Sequence, residues 1–284
     1  MSKHKAKMEI CYAGRTKEII NKFPTGNHRV KRNEKRRITP ESVQRNNDRL
    51  ALIDFRRKIN HNFNPGDMHV TLTYKGRTPS RENAHKTIKG FVRNLRRKLA
   101  AADQELRYVE VTEYENTRIH HHIIISRCEE ELISELWTQG FVNIKYLDNS
   151  GNYSKLAEYL FKETSKTFRN PRNCRKRRYS CSKNLEKPKA EVYDVNVKVL
   201  HEDPVAEEGY YIDADSIKKY NHPVTELPHM EYIQVLQPGK EHPKKKNRKR
   251  GGKPAKKEYF KPNYFEEQLS LLEEENYYEQ ETLL

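Results

Sequence analysis

Residues 106–126 read Leu106-Arg107-Tyr108-Val109-Glu110-Val111-Thr112-Glu113-Tyr114, then Glu115-Asn116-Thr117-Arg118, then Ile119-His120-His121-His122-Ile123-Ile124-Ile125-Ser126. Two runs rich in β-branched and aromatic residues, separated by a polar turn, predict a hairpin. The apolar run after the histidines marks the second strand as internal. On the C-terminal side, Leu132, Ile133, Leu136 and Trp137 predict a short helix over 129–139, followed by a strand over 141–147 and a helix from Ser154 to about Lys166. On the N-terminal side, Met68–Tyr74 alternates like a strand. Between it and the hairpin, Ile88, Phe91, Val92, Leu95 and Leu99 recur at helical spacing over 80–101. Further upstream, Thr39-Pro40-Glu41 starts a helix and Asn64-Pro65-Gly66 stops it. The order is βαββαβ followed by α. It predicts an α+β, ferredoxin-like (RRM-like) antiparallel sheet with helices on one face, plus basic extensions. Such a plan hosts many activities and selects none by itself.

The flanks carry weaker signals. Residues 1–37 are basic and unpatterned and read as an arm. Residues 38–170 form the central domain. Residues 171–236, with strand-like Val192–Leu200, Gly209–Ile212 and Glu231–Leu236, read as an accessory region, and 237–284 as a basic linker and acidic tail. Lys and Arg number 56 against 40 acids, a net +16. The 21 residues from Tyr264 to Leu284 hold seven acids and no Lys or Arg, so residues 1–263 carry +23. A field of that sign selects polyanionic partners. No apolar stretch approaches the roughly 20 residues that span a bilayer. MSKHKAKMEICYAGRTK lacks the apolar core of a signal peptide, so the expected location is cytoplasmic. The four cysteines are scattered, which indicates neither a disulfide framework nor a thiolate zinc site.

The chemistry concentrates on two segments. On a strand, alternate side chains share a face, so His120 and His122 point one way and His121 the other. Two imidazoles about 7 Å apart along one strand can hold one divalent ion. Glu113, on the preceding strand beside the turn, is the third ligand; Glu110 and Glu115 compete for that place. Two histidines and a carboxylate also serve non-haem iron oxygenases, so the ligand set does not name the reaction. A histidine-rich strand can equally be structural.

The second segment is Ser154–Lys166. At about 100° per residue, Lys155, Tyr159, Lys162 and Lys166 share one stripe, while Ala157, Leu160 and Phe161 lie toward the packing side. A phenol ionises only near pH 10, and neighbouring ammonium groups favour its phenolate. The competing reading is an ordinary amphipathic helix with a basic surface. Tyr153, after the loop-like run Asp148-Asn149-Ser150-Gly151-Asn152, is expected at a loosely held helix start.

Together, His120-His121-His122 and Tyr159-Leu160-Phe161-Lys162 resemble the HUH endonucleases. His69-Val70-Thr71-Leu72-Thr73-Tyr74 resembles the first motif of their replication initiators, and Tyr179–Leu185 a segment seen in initiators of Gram-positive plasmids and phages. The tyrosine follows the histidine pair, as in single-tyrosine rolling-circle initiators and transposases; conjugative relaxases place it before. His121 departs from the usual bulky apolar residue between the two ligands. The resemblance implies a site-specific single-strand DNA endonuclease and ligase. It would hold Mg2+ or Mn2+ on Glu113, His120 and His122, with Tyr159 as nucleophile and Lys162 beside the phosphate. Lys86, Lys89, Arg93, Arg96, Arg97, Lys155 and Lys166 would contact DNA backbone. Implied partners are single-stranded or hairpin origin DNA and a host helicase and polymerase, since no GxxxxGK[ST] motif occurs. The alternatives are a single-tyrosine transposase, a mobilisation relaxase, or a non-catalytic RRM-like nucleic-acid-binding protein.

Overall fold

A computed structural model describes residues 6–23, 41–114, 118–168, 177–222 and 227–242, with all of their side chains except those at 163 and 165–167. In chain order the elements begin with β1 (Ala6–Ala13), β2 (Thr16–Lys22), α1 (Glu41–Asn62), β3 (Met68–Thr73) and α2 (Arg81–Ala101). The hairpin strands β4 (Tyr108–Glu113) and β5 (His120–Ile125) come next, then α3 (Glu130–Leu136), β6 (Val142–Tyr146) and α4 (Ser154–Phe168). The chain continues through β7 (Ser180–Cys181), β8 (Glu191–Val195), a 3-10 turn Val197–Leu200, β9 (Tyr210–Asn221) and β10 (Pro228–Leu236).

The strands form two antiparallel five-stranded sheets, one in the order β6-β3-β5-β4-β7 and the other β8-β1-β2-β10-β9. The first is covered on both faces, not on one as the sequence suggested. One face (Met68, Val70, Leu72, Ile123, Ile125) packs on Ile88 and Leu95 of α2 and on Ile133 and Trp137 around α3. The other (Val109, Val111, Ile124) packs on Phe55 and Ile59 of α1 and Leu160 and Phe161 of α4. The reason lies in Ile123-Ile124-Ile125. A run of consecutive apolar residues sends side chains to both sides of a sheet, and each side then needs a cover.

The second sheet revises the reading of the chain's flanks. Residues 6–22, taken as part of an arm, form the hairpin β1–β2. On its two sides, β8 pairs with β1 and β10 pairs with β2, so the supposed arm and accessory region build one sheet. Charge concealed this. Lys17 and Glu18 are buried, Lys17 by Glu207 and the rings of Tyr12 and Tyr210, Glu18 by Arg56 and Arg57 of α1. In the β1–β2 turn Gly14 has φ +58°, and a Cβ there would lie 1.9 Å from the Asn60 carbonyl oxygen, so only glycine lets this turn meet α1. Two boundaries also shift. β7 extends the first sheet beyond residue 170 by pairing with β4. Residues 237–242 stay with the second sheet, where His242 contacts Tyr12 and Tyr210. The basic linker and acidic tail beyond 242 lie outside the described residues.

Candidate active site

The β4–β5 register sets Glu113 opposite His120 and Val111 opposite His122, all on the face that α1 and α4 cover. Glu113 Oε2 lies 3.0 Å from His120 Nε2. One ligand atom from each of Glu113, His120 and His122 falls within 4.8 Å of the others, a spacing that fits one metal ion.

The surroundings fix which nitrogens face inward. His120 Nδ1 lies 2.9 Å from the carbonyl oxygen of Arg118, an acceptor only, so Nδ1 carries the hydrogen and a neutral ring turns its Nε2 lone pair on Glu113. A lone pair and a carboxylate oxygen at hydrogen-bond distance require a cation between them, proton or metal. His122 Nδ1 lies 3.2 Å from His69 Nε2 and 3.3 Å from Thr71 Oγ1, and the His69 and His122 rings stack at 5.3 Å. His122 Nε2 is buried and has no hydrogen-bond partner among the described residues. An orphaned buried nitrogen beside a histidine–carboxylate pair is what an absent ion leaves exposed, so the donor set fits a divalent metal. Burial first, then the neighbouring histidines, push His122 down to about 3, and burial pushes His69 down to about 4. Both rings are therefore neutral at physiological pH, the form that ligates metals.

Tyr159 stands over this group from α4, its ring 5.6 Å from that of His122 at 83°. The side chain is 48 % exposed, although Ala157, Leu160 and Phe161 of the same helix are buried. The second sheet tethers α4 beside the tyrosine: Lys155 pairs with Asp215 at 2.8 Å and Glu158 with Lys218 at 2.9 Å. Lys155 therefore already has a carboxylate partner. Lys162 is exposed one turn beyond Tyr159. The side chain of Lys166 lies outside those described. A cavity of about 470 Å³, lined by His69, Thr71, His122, Asn143, Lys145, Leu156 and Tyr159, opens at the site.

The other named residues divide by face. His121 and Glu110 are buried on the opposite side, where Thr112 Oγ1 lies 2.5 Å from Glu110 Oε1 and 2.8 Å from His121 Nδ1, and Tyr74 Oη 2.8 Å from His121 Nε2. They make a satisfied core network and neither reaches the metal group. Glu115 lies outside the described residues. The exposed Lys86, Lys89, Arg93, Arg96 and Arg97 belong to α2, which covers the face away from Tyr159, so they do not converge on the metal group. Tyr153 is not at a frayed end. It is 3 % exposed within the α1–α4 core, its N–H bonded to Asn60 Oδ1 at 2.9 Å, and burial raises its phenol far above the usual value. His69 received no role from its sequence position. Its place beside His122 follows from the β3–β5 register, which a single strand cannot show.

No curated protein and no solved structure matches the chain. Residues 67–168, from the start of β3 to the end of α4, match the model of a replication-associated protein family, that of ORF2. The segment carrying Glu113, His120, His122 and Tyr159 is thus similar to proteins of DNA replication.

Proposed function

We propose that the chain is a metal-dependent DNA nicking and joining enzyme that initiates rolling-circle replication, with Tyr159 as nucleophile. The observation that carries this reading is the exposed tyrosine set against a two-histidine, one-carboxylate group within a segment similar to replication proteins. The order β6-β3-β5-β4, joined through α2 and α3, is also the arrangement a ferredoxin-like plan requires, and it supports the HUH-type reading.

Glu113, His120 and His122 would hold Mg2+ or Mn2+, which when bound polarises the scissile phosphate and neutralises its charge. His69 and the Arg118 carbonyl keep the two imidazoles aimed inward. The Tyr159 oxygen attacks phosphorus and gives up its proton. The bond to the 3′ oxygen breaks, and that oxygen leaves as a 3′-hydroxyl that can prime synthesis. The product is a 5′-phosphotyrosine. One phosphoester replaces another, so attack by a 3′-hydroxyl reverses the step and rejoins the strand without ATP. Lys162, one turn from the nucleophile, would hold the phosphate. Single-stranded or extruded origin DNA is the substrate, and a host helicase would supply unwinding.

The test is cleavage of supercoiled origin plasmid with Mg2+ or Mn2+, with peptide mapping of the DNA-linked fragment. Tyr159→Phe should bind metal and DNA yet form no adduct. Glu113→Ala, His120→Ala and His122→Ala should abolish nicking and keep most DNA affinity, because phosphate contacts are spread over many cations. An adduct on any other tyrosine removes Tyr159 from its role.

A further inference from the structure

β6 is the edge strand of the sheet that bears the metal group, paired only with β3. Its register sets Asn143 beside Thr71 and Lys145 beside His69, and the Thr73 amide bonds the Phe141 carbonyl at 3.0 Å. Thr71 and His69 both reach His122, so Phe141, Asn143 and Lys145 form a row on the face that carries the metal group. Across the sheet, Phe141 stands level with Thr73, His120 and Glu113, and Asn143 level with Thr71 and His122. Two strand spacings put Phe141 about 10 Å from His120, one nucleotide's reach from the candidate scissile position.

Phe141 is 70 % exposed, more than any other large hydrophobic side chain among the described residues. Its ring is also fixed from behind. A Cβ on Gly140 would lie 2.2 Å from the Thr73 carbonyl oxygen, so the chain is pressed onto β3 just before Phe141. The cavity at Tyr159 includes Asn143 and Lys145, and a second cavity of about 420 Å³ shares His69, Lys145 and Leu156 with it and runs on to Tyr211 of β9. The row is therefore one wall of a continuous groove leading from the nucleophile.

We propose that this row is a nucleobase subsite for single-stranded DNA: the Phe141 ring stacks the base next to the scissile phosphate, Asn143 meets the base edge, and Lys145 meets the backbone. This rests on the nicking reading for the position of the scissile phosphate. An exposed aromatic followed by an amide and a cation on one face is the chemistry that binds single strands, since every base has a π-face and every nucleotide a charge. A protein partner would not require a lysine leading into the metal groove.

The experiment measures binding of the full chain, in EDTA so that nothing is cut, to fluorescent dT12 and to a 12-unit abasic strand of equal charge. Phe141→Ala should weaken dT12 binding about tenfold, Phe141→Trp should restore it, and neither should change binding of the abasic strand. Equal affinity of wild type and Phe141→Ala for dT12 overturns the subsite. So does an equal loss on both strands, which would assign the effect to charge or folding. A changed sedimentation state with unchanged dT12 affinity would make Phe141 a contact between copies and also overturn it. Failure of Tyr159 to form an adduct would sink the nicking reading and leave these binding results standing.

Discussion

His69 shows how much of a metal centre lies one shell beyond its ligands. With Nδ1 of His122 donating, the lone pair of His69 Nε2 or of Thr71 Oγ1 is the acceptor that leaves His122 Nε2 bare and facing the group. Partners of this kind set tautomer and orientation, and their loss usually weakens metal binding about 10- to 100-fold. His69→Ala should therefore weaken Mn2+ binding by that order in calorimetry. His69→Gln, which keeps an acceptor on a side chain of similar reach, should recover part of it. A nitrogen-15 shift of His122 that reports the same tautomer in wild type and His69→Ala would show that Thr71 suffices.

At the scale of elements, α4 presents Tyr159 while the second sheet holds its flank. Removing the carboxylate of Asp215 frees Lys155 at the rim of the groove. Asp215→Ala should tighten single-strand binding at low salt and steepen its log–log salt dependence by about 0.7 if Lys155 takes up one phosphate. Thermal stability should hardly move, because both partners are exposed. An unchanged slope would mean that Lys155 lies off the DNA path. The elements from β3 to α4 were legible in the sequence because their apolar periods are long and agree with their caps, as at Ser80, whose hydroxyl accepts from the Asn83 amide. The hairpin β1–β2 was not. Its burial depends on Lys17, Glu18 and Asn21, polar residues made tolerable by partners that stand far off in the chain, such as Glu207 and Arg56. Tyr153 was misread for a similar reason. The loop before it looks mobile by composition, yet Asn152 Nδ2 donates to Asp213 Oδ2 at 2.8 Å and Asn60 receives the Tyr153 amide. The metal ligands were easier to find, since period two on one strand and a neighbouring carboxylate are local facts.

For the whole molecule, the limits of the folded unit and its response to acid can both be measured. Ending the chain after residue 242 should leave the melting temperature and short-strand cleavage nearly unchanged. Ending it after residue 227 removes β10, which bridges β2 and β9, and should unfold the second sheet. A large loss on the milder cut would place the tail inside the catalytic unit. Acid sensitivity follows from three buried histidines: burial pushes His122 and His229 down to about 3 and His69 to about 4, from an ordinary 6.5. Below about pH 6.5 the unfolded chain takes up protons that the folded one refuses, so stability falls as pH drops from 6.5 toward 4. Each group contributes up to about 1.4 kcal/mol per pH unit in that window. Urea titrations in EDTA at pH 7.5, 6 and 5 should show the decline, and His229→Leu should flatten it. Equal midpoints across that range would show that these rings titrate normally.

The pairing of Ile20 with Glu231 has a consequence for how the protein comes to be made. β2 leaves the ribosome long before β10 exists, and at usual synthesis rates the interval is roughly 10 to 40 s. During that time the sheet bearing the histidines can assemble from neighbouring segments, but the carboxylate and lysine of β9 that hold α4 have not been translated. Closure of the second sheet is the step of greatest sequence separation and so the slowest. A chain interrupted before β10 would carry every residue of the cutting chemistry without the clamp on its nucleophile helix. Ribosome-bound intermediates would then be unable to nick DNA until translation is nearly complete.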